Sequence, residues 1–159
     1  MKKILATVAA ILAVFVMAVS PAMAAEKAVG LFPACYSIGS NLLGAPHFDV
    51  RLLVDPVRGK VTGEGEIFQA VSPPLDIQTE LLGAYKSGKI ANEIKATGYP
   101  DIDWPPQAGI GPVIPSNVEL RMLLSKDNQS GAAIYGYREG FDDFKFVGPV
   151  PATSIPCFE

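Results

Sequence analysis

The stretch FDVRLLVDPVRGKVTGEGEIFQAV, residues 48–71, decides the fold of this chain. Apolar and polar residues alternate on both sides of the segment 55–60, which holds one proline and one glycine. Alternation with a period of two is typical of a strand that buries one face, and proline followed by glycine is typical of a tight turn. The stretch therefore predicts a β-hairpin with one face in a core.

The same alternation recurs outward from this hairpin, around residues 75–81, 90–96, 118–124, 132–137 and 144–146. Residues 28–38 are apolar but contain Gly30 and Pro33, which suits an edge strand or an irregular lead-in. The last segment, 148–159, carries three prolines and is interpreted as a tail. We therefore predict an all-β fold, an antiparallel meander of about seven to eight strands. Sequential hairpins favour a barrel, with a β-sandwich as the alternative.

The N-terminus has the pattern of a bacterial secretory signal. Two lysines precede an apolar run over residues 4–19, and Ala22 and Ala24 provide the small residues of a cleavage site. We expect residues 1–24 to form a cleaved signal helix and residues 25–159 to form a single β domain. A retained membrane anchor is the alternative, but the run is short for a span of about 20 residues.

Charge and cysteine content narrow the class of protein. Without Lys2 and Lys3 the formal charge changes from 13 − 16 to 11 − 16, that is −5. Nucleic acid and anionic membrane surfaces are therefore not expected partners. Cys35 and Cys157 are predicted to form a disulfide in an oxidising compartment, with two free thiols as the alternative. The location is then periplasmic or secreted.

Residues 97–115 are the clearest break in the strand pattern, with five of the 14 prolines and the only tryptophan. Prolines restrict the backbone and so lower the entropy that aromatic side chains lose on making a contact. This loop either closes one end of the barrel as a plug or recognises a ligand or partner. The candidate binding residues are Tyr99, Ile102, Trp104, Pro105, Pro106 and Ile110.

Other constellations carry weaker signals. Gly63 and Gly65 leave two gaps on the predicted inner face, either for a bend or for a ligand. His47 and Asp49 resemble part of a hydrolase triad, but no nucleophile motif accompanies them, so a surface pair is favoured. Asp101 and Asp103 lack the spacing of a calcium loop. We predict no catalytic residue, no metal and no cofactor.

The runs at residues 99–106, 109–115 and 117–122 resemble small bacterial proteins that share a domain of unknown function. The similarity extends back to residues 69–76. This resemblance implies a family relationship and assigns no activity, ligand or site.

The sequence thus favours an exported, non-enzymatic β-barrel-like protein that binds a small ligand or a partner through residues 97–115. The second hypothesis is a protein inhibitor or assembly component that inserts this loop into another protein. A hydrolase is third.

Overall fold

The computed structural model describes residues 30–102 and 113–157, and these form a closed eight-stranded antiparallel β-barrel. Each strand pairs with its neighbours in sequence, and the last pairs with the first. The strands are β1 (Phe32–Ile38), β2 (His47–Asp55), β3 (Lys60–Gln69), β4 (Leu75–Ser87), β5 (Asn92–Tyr99), β6 (Val118–Leu124), β7 (Ser130–Tyr137) and β8 (Lys145–Ile155). The prediction of an all-β meander is confirmed, and of the two predicted architectures the barrel is the correct one.

Because the chain runs up and down, successive connections lie at alternate ends of the barrel. The β1–β2, β3–β4, β5–β6 and β7–β8 connections lie at one end, called here the upper end. The other connections and the C-terminal residues lie at the lower end. Residues 97–115 therefore belong to the upper end.

Inward-facing side chains fill the barrel. The alternation in β2 buries Phe48, Val50, Leu52 and Val54, while Asp49 and Arg51 point outward. An eight-stranded barrel is just wide enough for its own side chains. The largest fully buried side chains are Tyr36, Tyr135, Phe48, Ile38, Ile67, Leu81, Ile94, Met122 and Leu124.

The gaps at Gly63 and Gly65 are filled by protein. A Cβ on Gly65 would lie 2.5 Å from the Phe48 ring, and one on Gly63 would lie 2.1 Å from the Arg51 carbonyl oxygen. The glycines thus permit close approach of β2 to β3.

Two core tyrosines reach opposite ends of the barrel. The Tyr36 hydroxyl donates to the Asn128 carbonyl at the lower end over 3.1 Å, and the Tyr135 hydroxyl donates to the Pro46 carbonyl at the upper end over 3.0 Å. Burial raises the pKa of both hydroxyls to about 12, since it disfavours the phenolate.

The inward-facing amide of Asn92 finds the partners that its burial requires. Its Oδ1 accepts from the Ser87 hydroxyl over 3.0 Å, and its Nδ2 donates to Asn128 Oδ1 over 2.8 Å. The amide therefore joins the β4–β5 and β6–β7 connections at the lower end.

The predicted disulfide between Cys35 and Cys157 is present, with 122 residues of separation and a Cα–Cα distance of 5.3 Å. Cys35 lies opposite the outward-facing Arg51, so the bond covers the outer wall of the barrel. It is consistent with an extracellular or periplasmic location. The signal segment lies outside the described residues.

Two expectations about the chain ends were wrong. β1 is not an edge strand, because it pairs with β2 on one side and β8 on the other. The proline-containing tail is also a strand, since Pro149 and Pro151 lie within β8. Its ladder with β7 is irregular between Ala133 and Tyr135. In the ranges 30–102 and 113–157 there is no helix long and apolar enough to span a membrane.

Candidate functional site

The structure locates only part of the predicted binding set. Tyr99 ends β5, Ile102 follows in the β5–β6 connection, and both side chains are exposed. Trp104, Pro105, Pro106 and Ile110 lie in residues 103–112, outside the described part of the chain. The choice between a plug and a recognition loop therefore stays a prediction.

A cleft of about 650 Å³ opens at the upper end, beside the described parts of this loop. The start of β4, both flanks of the β5–β6 connection and the β7–β8 connection form its walls. Its apolar lining comes from Ile77, Pro100, Ile102, Val113, Ile114, Pro115 and Phe141. Its polar lining comes from Asp76, Gln78, Asp101, Asn117, Arg138 and Glu139.

A buried hydrogen-bond network anchors the loop beside the cleft. The Thr79 hydroxyl donates to Asn117 Oδ1 over 2.7 Å, and Asn117 Nδ2 donates to the Gln78 carbonyl over 3.0 Å. Gly98 makes the space for this network, because a Cβ there would lie 2.1 Å from Thr79 Oγ1. The C-terminal base of the loop is thus fixed to β4.

Arg138 fixes the β7–β8 connection to the same base. Its Nε donates to the Ser116 carbonyl over 2.7 Å, and its backbone N–H donates to the Asn117 carbonyl over 2.9 Å. The guanidinium also lies over the Phe144 ring, 4.6 Å from the centroid. These contacts hold one positive charge at the cleft, whose lining also includes the carboxylates of Asp76, Asp101 and Glu139.

The mouth of the cleft exposes two large apolar side chains. Val113 is 92% exposed and Phe141 is 89% exposed. Burying such groups against a ligand removes apolar surface from water and stabilises a complex. The backbone near these two residues is anchored at Asn117 on one side of the cleft and at Arg138 on the other.

Sequence reasoning missed Phe141 and Arg138. Both lie in the β7–β8 connection, between the predicted strand segments 132–137 and 144–146. An aromatic residue within this otherwise polar connection is the signal that would have found the second wall.

The other candidate groups are His47 with Asp49 and Asp101 with Asp103. Within residues 30–102 and 113–157 no hydrogen bond joins His47 to Asp49, and the His47 ring packs against Gly39. The same ranges contain no group of three His, Cys, Asp or Glu that could hold a metal ion. Asp103, the partner proposed for Asp101, lies outside the described residues.

Comparison with known proteins identifies one family. The sequence profile of a domain of unknown function, DUF1842, matches residues 29–141, more than half of the chain. The matched range contains β1–β7, both walls of the cleft and the network around Asn117. No curated protein matches the chain.

Proposed function

This chain belongs to the family of proteins that share the domain of unknown function DUF1842, and we propose that it is an exported binding protein. The ligand is a small, partly apolar molecule that occupies the cleft at the upper end of the barrel. Residues 97–115 and the β7–β8 connection hold it.

The observation that carries this proposal is the cleft itself. Its volume of about 650 Å³ falls within the range of about 300–1,000 Å³ that is common for small-molecule sites. Apolar side chains dominate one part of its surface, and Asn117 and Arg138 place polar groups at its base. The barrel interior is filled by side chains, so this surface, rather than the lumen, is assigned to the ligand.

Export is supported by two features of the chain. The first 24 residues have the charge, apolar run and small residues of a secretory signal. The disulfide joins the first strand to the residues after the last one. Intact mass spectrometry of protein purified from its native source tests this part, because cleavage after Ala24 removes a defined mass.

Binding is tested with anilinonaphthalene sulfonate, an anionic fluorescent dye with apolar aromatic rings, as the probe. Ile102→Ala and Phe141→Ala remove parts of the cleft wall, whereas Ile90→Ala removes a side chain that is 90% exposed at the lower end. We expect both cleft variants to weaken dye binding by about fivefold or more, and the control to leave it unchanged. Equal binding by all four proteins would refute the site.

A protein partner is the second candidate, and the exposure of Val113 and Phe141 favours it. Large apolar side chains on anchored loops are suited to insertion into a partner's pocket. Affinity capture from periplasmic extract with wild type and Phe141→Ala separates the two. One stoichiometric protein captured by wild type alone supports the partner, and a co-purifying small molecule supports the ligand.

A further inference from the structure

The strand register places a row of two leucines and two threonines across the outer wall of the barrel. Leu53, Thr62, Leu82 and Thr97 are direct cross-strand neighbours on β2, β3, β4 and β5. Leu53 and Leu82 are both exposed. Hollows of about 530 Å³ and 520 Å³ open on either side of Leu82, so its side chain stands between them.

Rows that are mainly basic and mainly acidic flank this row. Toward the lower end, Asp55, Lys60, Ala84 and Lys95 are cross-strand neighbours, and Arg121 continues the row on β6. Toward the upper end, Arg51, Glu64, Glu80 and Tyr99 are cross-strand neighbours. Within the chain, Arg51 pairs with Glu64 over 3.2 Å and Lys95 pairs with Glu93 over 2.9 Å. We call the first row the basic bank, the second the acidic bank, and the Leu/Thr row between them the seam.

This arrangement is complementary to itself. A two-fold axis along the seam brings the basic bank of one copy against the acidic bank of another, and it brings Leu82 against Leu82. Lys60 then faces Glu64 on β3, and Lys95 faces the ring of Tyr99 on β5. The Lys60–Glu64 and Lys95–Tyr99 contacts each occur twice, as the symmetry of an isologous interface requires, and the Leu82–Leu82 contact lies on the axis.

We propose that the outer wall of β2–β5 is a homodimer interface of this chain. The seam buries Leu53 and Leu82 at its centre, and the two banks fix the antiparallel orientation of the copies. None of the four seam residues lines the cleft at the upper end. The dimer thus presents two cleft ends pointing in opposite directions.

Light scattering after size-exclusion chromatography tests the interface, with protein concentrations up to about 100 µM. Leu82→Arg places a charge in the seam and is expected to raise the dimer dissociation constant by about tenfold or more. Leu123→Arg is the matched control, because Leu123 on β6 is 55% exposed and Leu82 is 54% exposed. Circular dichroism checks that both variants keep the β-fold.

Charge reversal makes the test specific to a second copy. Lys60→Glu and Glu64→Lys each bring like charges together across the axis, whereas the double variant restores both attractive pairs. We expect each single variant to weaken the dimer and the double variant to recover it. A wild type that stays monomeric throughout, a dimer unaffected by Leu82→Arg, or a double variant weaker than both singles would each overturn the proposal.

Discussion

Replacing both cysteines tests how the barrel is held closed. The Cys35→Ala/Cys157→Ala double variant removes the link between β1 and the residues after β8, which spans 122 residues of chain. In the chain-entropy account, cross-linking a loop of this length lowers the entropy of the unfolded chain by about 16 cal/mol/K, or about 5 kcal/mol at 25 °C. Measured values fall below this figure, so we expect a loss of about 2–5 kcal/mol in the free energy of unfolding.

The disulfide lies beside the pairing of β1 with β8, which is the shortest ladder in the barrel. Four residue pairs join β1 to β8, from Cys35–Ile155 to Ile38–Ala152, whereas β1 and β2 share seven. With four residue pairs, this ladder contributes few hydrogen bonds that could hold β1 and β8 together once the disulfide is removed. We therefore expect the backbone amides of β1 and β8 to lose hydrogen-exchange protection first in the double variant.

Guanidinium chloride unfolding gives the change in free energy and thermal unfolding gives the change in melting temperature, both followed by circular dichroism. For a domain of this size, each 1 kcal/mol corresponds to about 4 °C, so the melting temperature should fall by roughly 8–20 °C. Wild type under dithiothreitol is the control and should match the double variant. A loss below about 1 kcal/mol would refute the entropic reasoning, as would unchanged exchange at β1 and β8.

Three further predictions follow from the core and from the base of the cleft. The pKa of tyrosine is near 10 in the unfolded chain, and burial raises the pKa of Tyr36 and Tyr135 to about 12 in the folded one. Between these pH values the hydroxyls stay protonated only in the folded state. The free energy of unfolding should therefore fall by about 1.4 kcal/mol per tyrosine for each pH unit in this range. The Tyr36→Phe/Tyr135→Phe variant should show a flatter profile in unfolding titrations at pH 9–12. Thr79→Val removes the donor to Asn117 Oδ1 and should destabilise the fold by about 1–3 kcal/mol in denaturant titrations. Thr62→Val on the outer wall is the control and should change stability little. Equal losses in the two variants would contradict the buried network. Gly65→Ala forces a Cβ against the Phe48 ring and should lower the free energy of unfolding by about 1–3 kcal/mol. The double variant Gly65→Ala/Phe48→Leu should recover part of this loss. Strictly additive losses in this double-mutant cycle would rule out the contact.

Much of the barrel could be predicted because its strands alternate strictly. Phe48, Val50, Leu52 and Val54 are all buried, as the pattern of residues 48–54 indicates. The ends were harder. β1 buries residues on both faces, because the disulfide covers the outward-facing Cys35, so the segment lacks alternation. In β8 only Ala152 is fully buried, and the strand was hidden by its prolines.

The candidate site could be predicted only in outline. The loop at residues 97–115 can be recognised from its own proline and aromatic content, without knowledge of the rest of the fold. Its second wall depends on Phe141 and Arg138, which lie more than 20 residues further along the chain and reach the cleft because the β5–β6 and β7–β8 connections share one end of the barrel. Asn117 is similar: its role depends on contact with Thr79 across 38 residues, and no spacing rule reveals it.

The closed meander also determines the order in which the molecule can assemble. Seven of its eight strand pairs join neighbours in sequence and can form as each hairpin is completed, but the eighth must wait for the C-terminal strand. Until then β1 presents an open edge that can recruit strands from other chains. Cys157 follows β8 in the chain, so the disulfide can form only after the last strand has been synthesised and cannot guide the pairing of the earlier ones. A chain that stops before β8 would retain two unpaired edges and no cross-link, which makes premature termination a direct route to aggregation.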